Sequence, residues 1–280
     1  MKHQPVITGL GIVSPIGIGV DKFWEAAVAG RSGIGRPTLF DCSKLPPDCR
    51  IVGEVHDFNP LQWMPAREVK TTARFSQFAV AAAQMARADS RLGSAGIPVV
   101  DVEHSNFLAF LRDDAMRPWA ALEYPVHAAT SHVAIAIGAH GQTASPATAC
   151  VAGLDAIAWA ADKVARAQAP AGLAGATETP LAGASMEAFR ALGALATWPG
   201  RPEEASRPFD RLRCGLVLAE GAAMVLIEDE EVARARGASV YARVLGFASI
   251  TESAHMRNVD ATGEPAARAM TMAIDSAGLS

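Results

Sequence analysis

The chain has 280 residues, 50% of them hydrophobic and 19% charged, a globular composition able to bury a large core as one big domain or two small ones. Its net charge of −4 creates no field that would draw in nucleic acid or an acidic membrane. Its four cysteines form no CxxC pair and follow no secretory leader, which points to a reduced, cytoplasmic setting, and no apolar run reaches membrane-spanning length.

Residues 5–11 read as a short apolar strand. Their Gly-Leu-Gly suggests a dinucleotide loop, but Pro15, Gly17 and Gly19 break the helix that a pyrophosphate needs, so that reading is set aside. Asp21 is expected to cap a helix over 23–29 that ends at Gly30. Residues 33–57 read as surface loop with one short strand at 51–55. Cys42 and Cys49 flank Pro46–Pro47 and could pair, although a loop of free thiols fits the reducing setting better. A strong helix begins at Thr71 or Thr72, burying Phe75, Phe78, Ala82, Met85 and Ala86. Arg67, Lys70 and Arg74 fall three and four apart and form a local basic stripe, by default a solvated face.

A strand is expected at 97–103, followed by His-Ser-Asn-Phe-Leu and an excursion to Pro125. An apolar helix follows over 127–139 and a strand over 141–149. After a long Ala-rich helix at 153–168 come a strand at 171–176, a helix at 184–192 and a strand at 222–227, the last fully apolar and so buried on both faces. Strands alternating with helices imply α/β layers around a mostly buried sheet. Residues 240–247 and 265–279 repeat the strand-then-helix pattern of the start, which suggests a second structural repeat from about Ser239.

The stretch 143–154, Thr-Ala-Ser-Pro-Ala-Thr-Ala-Cys-Val-Ala-Gly-Leu, carries the chemistry. Cys150 sits at a strand-to-helix corner, where unpaired N–H groups and the positive dipole end favour a thiolate, the nucleophilic form. Ala149, Ala152 and Gly153 leave room for a substrate. The plainer alternative is a buried structural cysteine. His127, His132 and His140 lie near in sequence but share no helix face, and read as exposed or core-bonded histidines. No ligand spacing for a metal is evident.

Thr-Ala-Cys-Val-Ala-Gly at 148–153 resembles the nucleophile motif of the β-ketoacyl-ACP synthases, the ketosynthases that condense acyl chains in fatty-acid and polyketide biosynthesis. So do Val-Ile-Thr-Gly-Leu-Gly at 6–11 with its continuation to Gly17, Arg-Phe-Ser-Gln-Phe-Ala at 74–79, Ala-Gly-Ala-Thr-Glu-Thr at 174–179, Ser-Arg-Pro-Phe-Asp at 206–210 and Ala-Glu-Gly-Ala at 219–222. The blocks keep the family's order, and the likeness covers about the first two-thirds of a member. The resemblance implies a thiolase-like α/β fold. Its first half, 1–238, is complete and carries the nucleophile; its second, 239–280, is truncated after one strand and one helix.

By the same resemblance, Cys150 accepts an acyl group from an acyl carrier protein, and its own N–H supplies one oxyanion donor. Decarboxylative condensation with a malonyl thioester then needs two histidines, a lysine and a second oxyanion N–H. In the family all of these lie beyond residue 280, so a partner would have to bring them. Arg67, Lys70 and Arg74 would greet the acidic carrier, and strand 141–149 would pair across a homodimer or a heterodimer with a ketosynthase chain. No resident cofactor is implied, since phosphopantetheine arrives on the carrier protein. The alternatives are a non-catalytic partner resembling a chain-length factor, or an inactive truncated fragment. Departures from the family pattern are Val151–Ala152 at a usual small pair, Cys214 for an aspartate, Ala219 for a glycine and His127 for an asparagine. The turn after strand 97–103, which borders the acyl pocket in the family, also departs from the usual glycine-rich form. Glu178 and Glu220 read as structural carboxylates holding turns.

Overall fold

The computed structural model describes residues 3–93, 99–100, 120–123, 125–255 and 258–279. The opening apolar run becomes β1 (Pro5–Ser14), which continues past the expected end and turns back as β2 (Gly17–Ile18). Helix α1 (Val20–Val28) starts earlier than its pattern suggests. Gly19 is its N-cap, at φ 93°, a conformation that glycine adopts without strain, so Asp21 lies inside the first turn rather than capping it. β3 (Ile34–Gly35) and β4 (Val52–Gly53) begin a small sheet. Helices α2 (Ala66–Val69) and α3 (Arg74–Ser90) follow. Of the strand expected at 97–103 only β5 (Val99–Val100) is described, and the departure after it lies outside the described residues.

The chain continues with α4 (Ala120–Glu123), α5 (Ala128–Ile137), β6 (Thr143–Ala144), α6 (Ala152–Ala165), β7 (Ala171–Glu178) and α7 (Gly183–Ala191). It closes with β8 (Leu218–Ala219), β9 (Gly221–Asp229), α8 (Glu230–Ala235), β10 (Ala242–Arg243) and α9 (Glu264–Ser276). Among the described residues the main sheet runs β10-β1-β9-β7-β5-β6, and β4 joins β3 to β8 in the small sheet. β7, β5 and β6 are parallel, while β9 runs antiparallel to both β1 and β7. The C-terminal ends of β1, β5, β6 and β7 therefore share one end of the sheet.

Helices α3 and α5 cover one face, with Phe75, Phe78, Val133, Leu173, Met224 and Leu226 fully buried between. Helix α6 covers the other, with Ala152, Ala156, Ala160 and Val164 against Ala174 and Ile227. The glycines of β1 explain themselves here. A Cβ on Gly9 would stand 2.1 Å from the Ala86 carbonyl oxygen, and one on Gly11 would stand 1.9 Å from that of Ala82. The Gly-Leu-Gly thus lets α3 lie directly on the strand.

Neither Thr71 nor Thr72 begins α3. Thr72 Oγ1 donates back to Glu68 O at 2.8 Å, and the first free donors of α3 go to Glu123 across the fold. Ala73 N donates to Glu123 Oε2 at 2.8 Å and Ser76 Oγ donates to the same oxygen at 2.9 Å, a long-range substitute for an N-cap.

Two expected strands are much shorter than their apolar runs. β6 ends at Ala144, with Pro146 beyond, a residue that cannot donate to a ladder. β10 is confined by its partner: β1 bulges between Ile7 and Gly9 on one side and begins at Pro5, which has no N–H, on the other. Because β10 pairs with β1, the main sheet carries across residue 238. Beyond it, Met270, Ile274 and Leu279 of the α9 segment are exposed. A third cluster, Leu45, Cys49, Val52, Met186 and Leu195, packs by the small sheet. All four cysteines are free thiols, Cys42 and Cys49 included.

Candidate active site

Cys150 lies at the end of the sheet where β1, β5, β6 and β7 finish, the usual ligand end of such sheets. A single 3-10 turn, Ala149–Val151, leads into α6, and Cys150 is exposed on it. Ala149 has φ 53°, in the left-handed region that a non-glycine residue enters at a cost of about 1 kcal/mol or more. Thr148 Oγ1 donates to the Asp155 carboxylate in the first turn of α6, which ties the strained corner to the helix. Gly153 permits close approach, since a Cβ there would stand 3.2 Å from Ala176 Cβ on β7. Val151 and Leu154 beside the thiol are also exposed, so the turn at Cys150 presents an apolar surface rather than a sealed pocket. The buried structural reading of this cysteine does not hold.

The nearby histidines do not converge on the thiol. His132 Nε2 is hydrogen-bonded to Glu123 Oε1, inside the network that starts α3. His140 is exposed. His127 precedes α5 and lines a cleft of about 410 Å³ with Thr130, Ser131, Thr143 and Ser145, beside the edge strand β6. Among the described residues no group of three His, Cys, Asp or Glu side chains is placed to hold a metal ion.

The three basic residues separate. Arg67 is 85% exposed and Lys70 is exposed, on α2 and at its end. Arg74 opens α3 and turns inward. Its Nε donates to Glu220 Oε2 at 2.9 Å, its Nη2 to Glu220 Oε1 at 2.8 Å and to Val55 O at 2.7 Å. Its guanidinium also lies 4.6 Å from the Phe78 ring centroid. Glu220 in turn accepts from Val55 N at 2.9 Å, as a turn-holding carboxylate should.

Glu178 is less complete. Its Oε1 accepts from Thr179 N at 2.8 Å, but Oε2 is buried with no hydrogen-bond partner among the described residues. Burial pushes its carboxyl up to about 8, with the Thr179 N–H pulling the other way. β7 runs on past the expected end at Ala176, and its alternation puts Glu178 on the face of Ala174 and Ala176.

The family departures also find places. Cys214 Sγ donates to Ala205 O at 3.4 Å. Ala219, where a glycine is usual, faces Gly53 of β4, and a Cβ on Gly53 would stand 2.8 Å from that of Ala219.

Residues 4–233 match the family model for the β-ketoacyl synthase N-terminal domain. The 3-oxoacyl-[acyl-carrier-protein] synthase 2 of Coxiella burnetii is 35% identical, over 99% of this chain and 70% of its own. The granaticin polyketide putative β-ketoacyl synthase 1 of Streptomyces violaceoruber is 34% identical, over 100% and 71%. Among solved structures, the AntDE:AntF complex, a type II polyketide acyl carrier protein with its ketosynthase bound to the hexaketide, matches with TM-score 0.85 and 30% identity over 99% of this chain and 71% of that one. The ishigamide ketosynthase/chain length factor matches with TM-score 0.88 and 28% identity, over 99% and 70%. The fold is thus the thiolase-like α/β fold of these ketosynthases, and the chain belongs to the β-ketoacyl synthase family of fatty-acid and polyketide synthesis.

Proposed function

We propose that this chain is the nucleophile-bearing part of a ketosynthase, with Cys150 as the acyl acceptor. The Cys150 thiolate attacks the carbonyl of an acyl thioester carried on the phosphopantetheine arm of an acyl carrier protein. The carbonyl electron pair moves to oxygen, where N–H groups at the start of α6 face the developing charge. Collapse breaks the carrier's C–S bond, the carrier thiolate leaves and takes up a proton, and the acyl group stays on Cys150. Condensation with a decarboxylating malonyl thioester then draws on histidines and a lysine that this chain does not hold in matching motifs, so a further segment or partner chain supplies them.

The observation carrying this reading is the exposed Cys150 on a strained turn into α6, at the ligand end of the sheet. The test is intact-mass analysis after mixing with an acyl carrier protein loaded with an acyl thioester, in complex with a ketosynthase partner. A mass gain on Cys150 that disappears in Cys150→Ala supports the reading, and no gain ends it.

Carrier docking is proposed for Arg67 and Lys70, the two exposed members of the basic stripe, with Arg74 holding the surface behind them. Subunit pairing is proposed along the edge strand β6, in a homodimer or a heterodimer. Residues 239–280 are proposed to begin the second half of the fold. A second reading, a partner resembling a chain-length factor that catalyses nothing, is favoured by the lack of matching histidine motifs. It predicts that Cys150→Ala leaves product formation by the complex unchanged.

A further inference from the structure

Cys150 sits inside a loop that the chain closes with its own side chains. β6 ends at Ala144 and the 3-10 turn begins at Ala149, and the residues between belong to neither a ladder nor a helix. At the near end of this stretch Ser145 Oγ lies 2.7 Å from Thr130 Oγ1 on α5. At the far end Thr148 Oγ1 donates to Asp155 Oδ2 in the first turn of α6. That bond spans Cys150, since Thr148 stands two residues before it and Asp155 five residues after it.

The loop encloses a strained corner. Ala149, at φ 53°, is held in the left-handed region, where its Cβ crowds the backbone. Such a conformation persists only when its surroundings over-determine it. One backbone bond helps, Ala152 N donating to Ala149 O across the 3-10 turn. Val151, the N-cap of α6, has no side-chain acceptor and cannot fix the corner in the usual way. Asp155 does so from one turn further on. Side chains on a helix lean toward its N-terminus, which brings the Asp155 carboxylate back over the corner. A bond from a hydroxyl to a carboxylate is also of the stronger, charge-assisted kind.

We propose that Asp155 is a positioning residue for Cys150 and acts through Thr148. By holding the Thr148 hydroxyl it keeps Ala149 in the left-handed conformation. That conformation fixes where the Cys150 sulfur stands relative to the N–H groups at the start of α6, the donors that meet the developing oxyanion. Neither Thr148 nor Asp155 needs to touch the acyl group. The proposal rests on Cys150 being the acyl acceptor.

The test compares two reactions of the same sulfur by mass. One is acyl transfer from an acyl-loaded carrier protein, in complex with a ketosynthase partner. The other is alkylation by iodoacetamide, which needs an accessible thiolate but no oxyanion donors. Thr148→Val removes the donor and Asp155→Ala the acceptor, and each should slow acyl transfer by about tenfold or more. The double variant should lose no more than either one, because both break one bond. Thr148→Ser and Asp155→Asn keep a donor and an acceptor and should stay within about threefold of the wild type. Alkylation should slow in none of them. Unchanged acyl transfer in Thr148→Val and Asp155→Ala, additive losses in the double variant, or alkylation slowed in step with acyl transfer each overturns the proposal. Asp155→Asn as slow as Asp155→Ala overturns it too, since charge and not the bond would then matter. If the wild type takes up no acyl group, the acyl-acceptor reading falls and hydrogen exchange of the 149–153 amides decides the tie. Faster exchange in Thr148→Val, restored in Thr148→Ser, upholds it, and equal exchange overturns it.

Discussion

At the scale of single residues, the basic stripe divides into one internal and two external members. Arg74→Ala leaves Glu220, 2% exposed, without its cation, and should lower stability by about 3 kcal/mol. Chemical denaturation will measure this, together with an unchanged stability for the exposed pair Arg67→Glu and Lys70→Glu. The exposed pair should instead slow association with an acidic carrier protein several-fold at low salt, an effect that fades as salt is added. Spacing alone could not distinguish these roles, because the chain turns between α2 and α3 and the partner of Arg74 lies far away in sequence. Glu178 gives the opposite sign from most buried carboxylates. Its folded value of about 8 lies above the ordinary 4.5, so between the two the folded chain holds a proton that the unfolded chain has released. Stability conferred by its protonated form is therefore lost as pH rises through that window. Glu178→Gln should raise the melting temperature little at about pH 5 and most at about pH 8, by the equivalent of roughly 2–3 kcal/mol.

At the scale of elements, close contact between β1 and α3 sets the position of everything else. Gly11→Ala would press a methyl group against the Ala82 carbonyl, 1.9 Å away, and should destabilise the fold by about 3 kcal/mol or more, visible as a lowered denaturation midpoint with an unchanged slope. The existence and order of the helices and long strands were legible in the sequence, since α3, α5, α6 and β9 each follow an unbroken apolar pattern. Their ends were not. At the start of α3 the Ala73 N–H and the Ser76 hydroxyl donate to Glu123, far along the chain, so no local signal marks its start. β10 is cut short by a bulge and a proline on β1, which belong to the partner strand. Cys150 was legible because its motif, its small neighbours and the following helix are contiguous. Glu178, read as a turn-holding carboxylate, does accept the Thr179 N–H; that its Oε2 finds no partner among the described residues depends on packing in three dimensions.

At the scale of the whole molecule, a folded sheet has both faces covered, while apolar side chains stand exposed at two separate places. Val151 and Leu154 beside Cys150 are exposed, as are Met270 and Ile274 on α9. Exposed apolar surface of this kind marks contact with further protein, and the chain spans about 70% of the relatives it matches. The proposed ketosynthase reaction divides along that line, with the acyl acceptor on this chain and the proton-handling groups beyond it. The most direct measurement is the mass of Cys150 after incubation with an acyl-loaded carrier protein and a ketosynthase partner. One acyl group gained on Cys150, and none on Cys150→Ala, is the predicted result. An unmodified Cys150 alongside a complex that still forms product would contradict it.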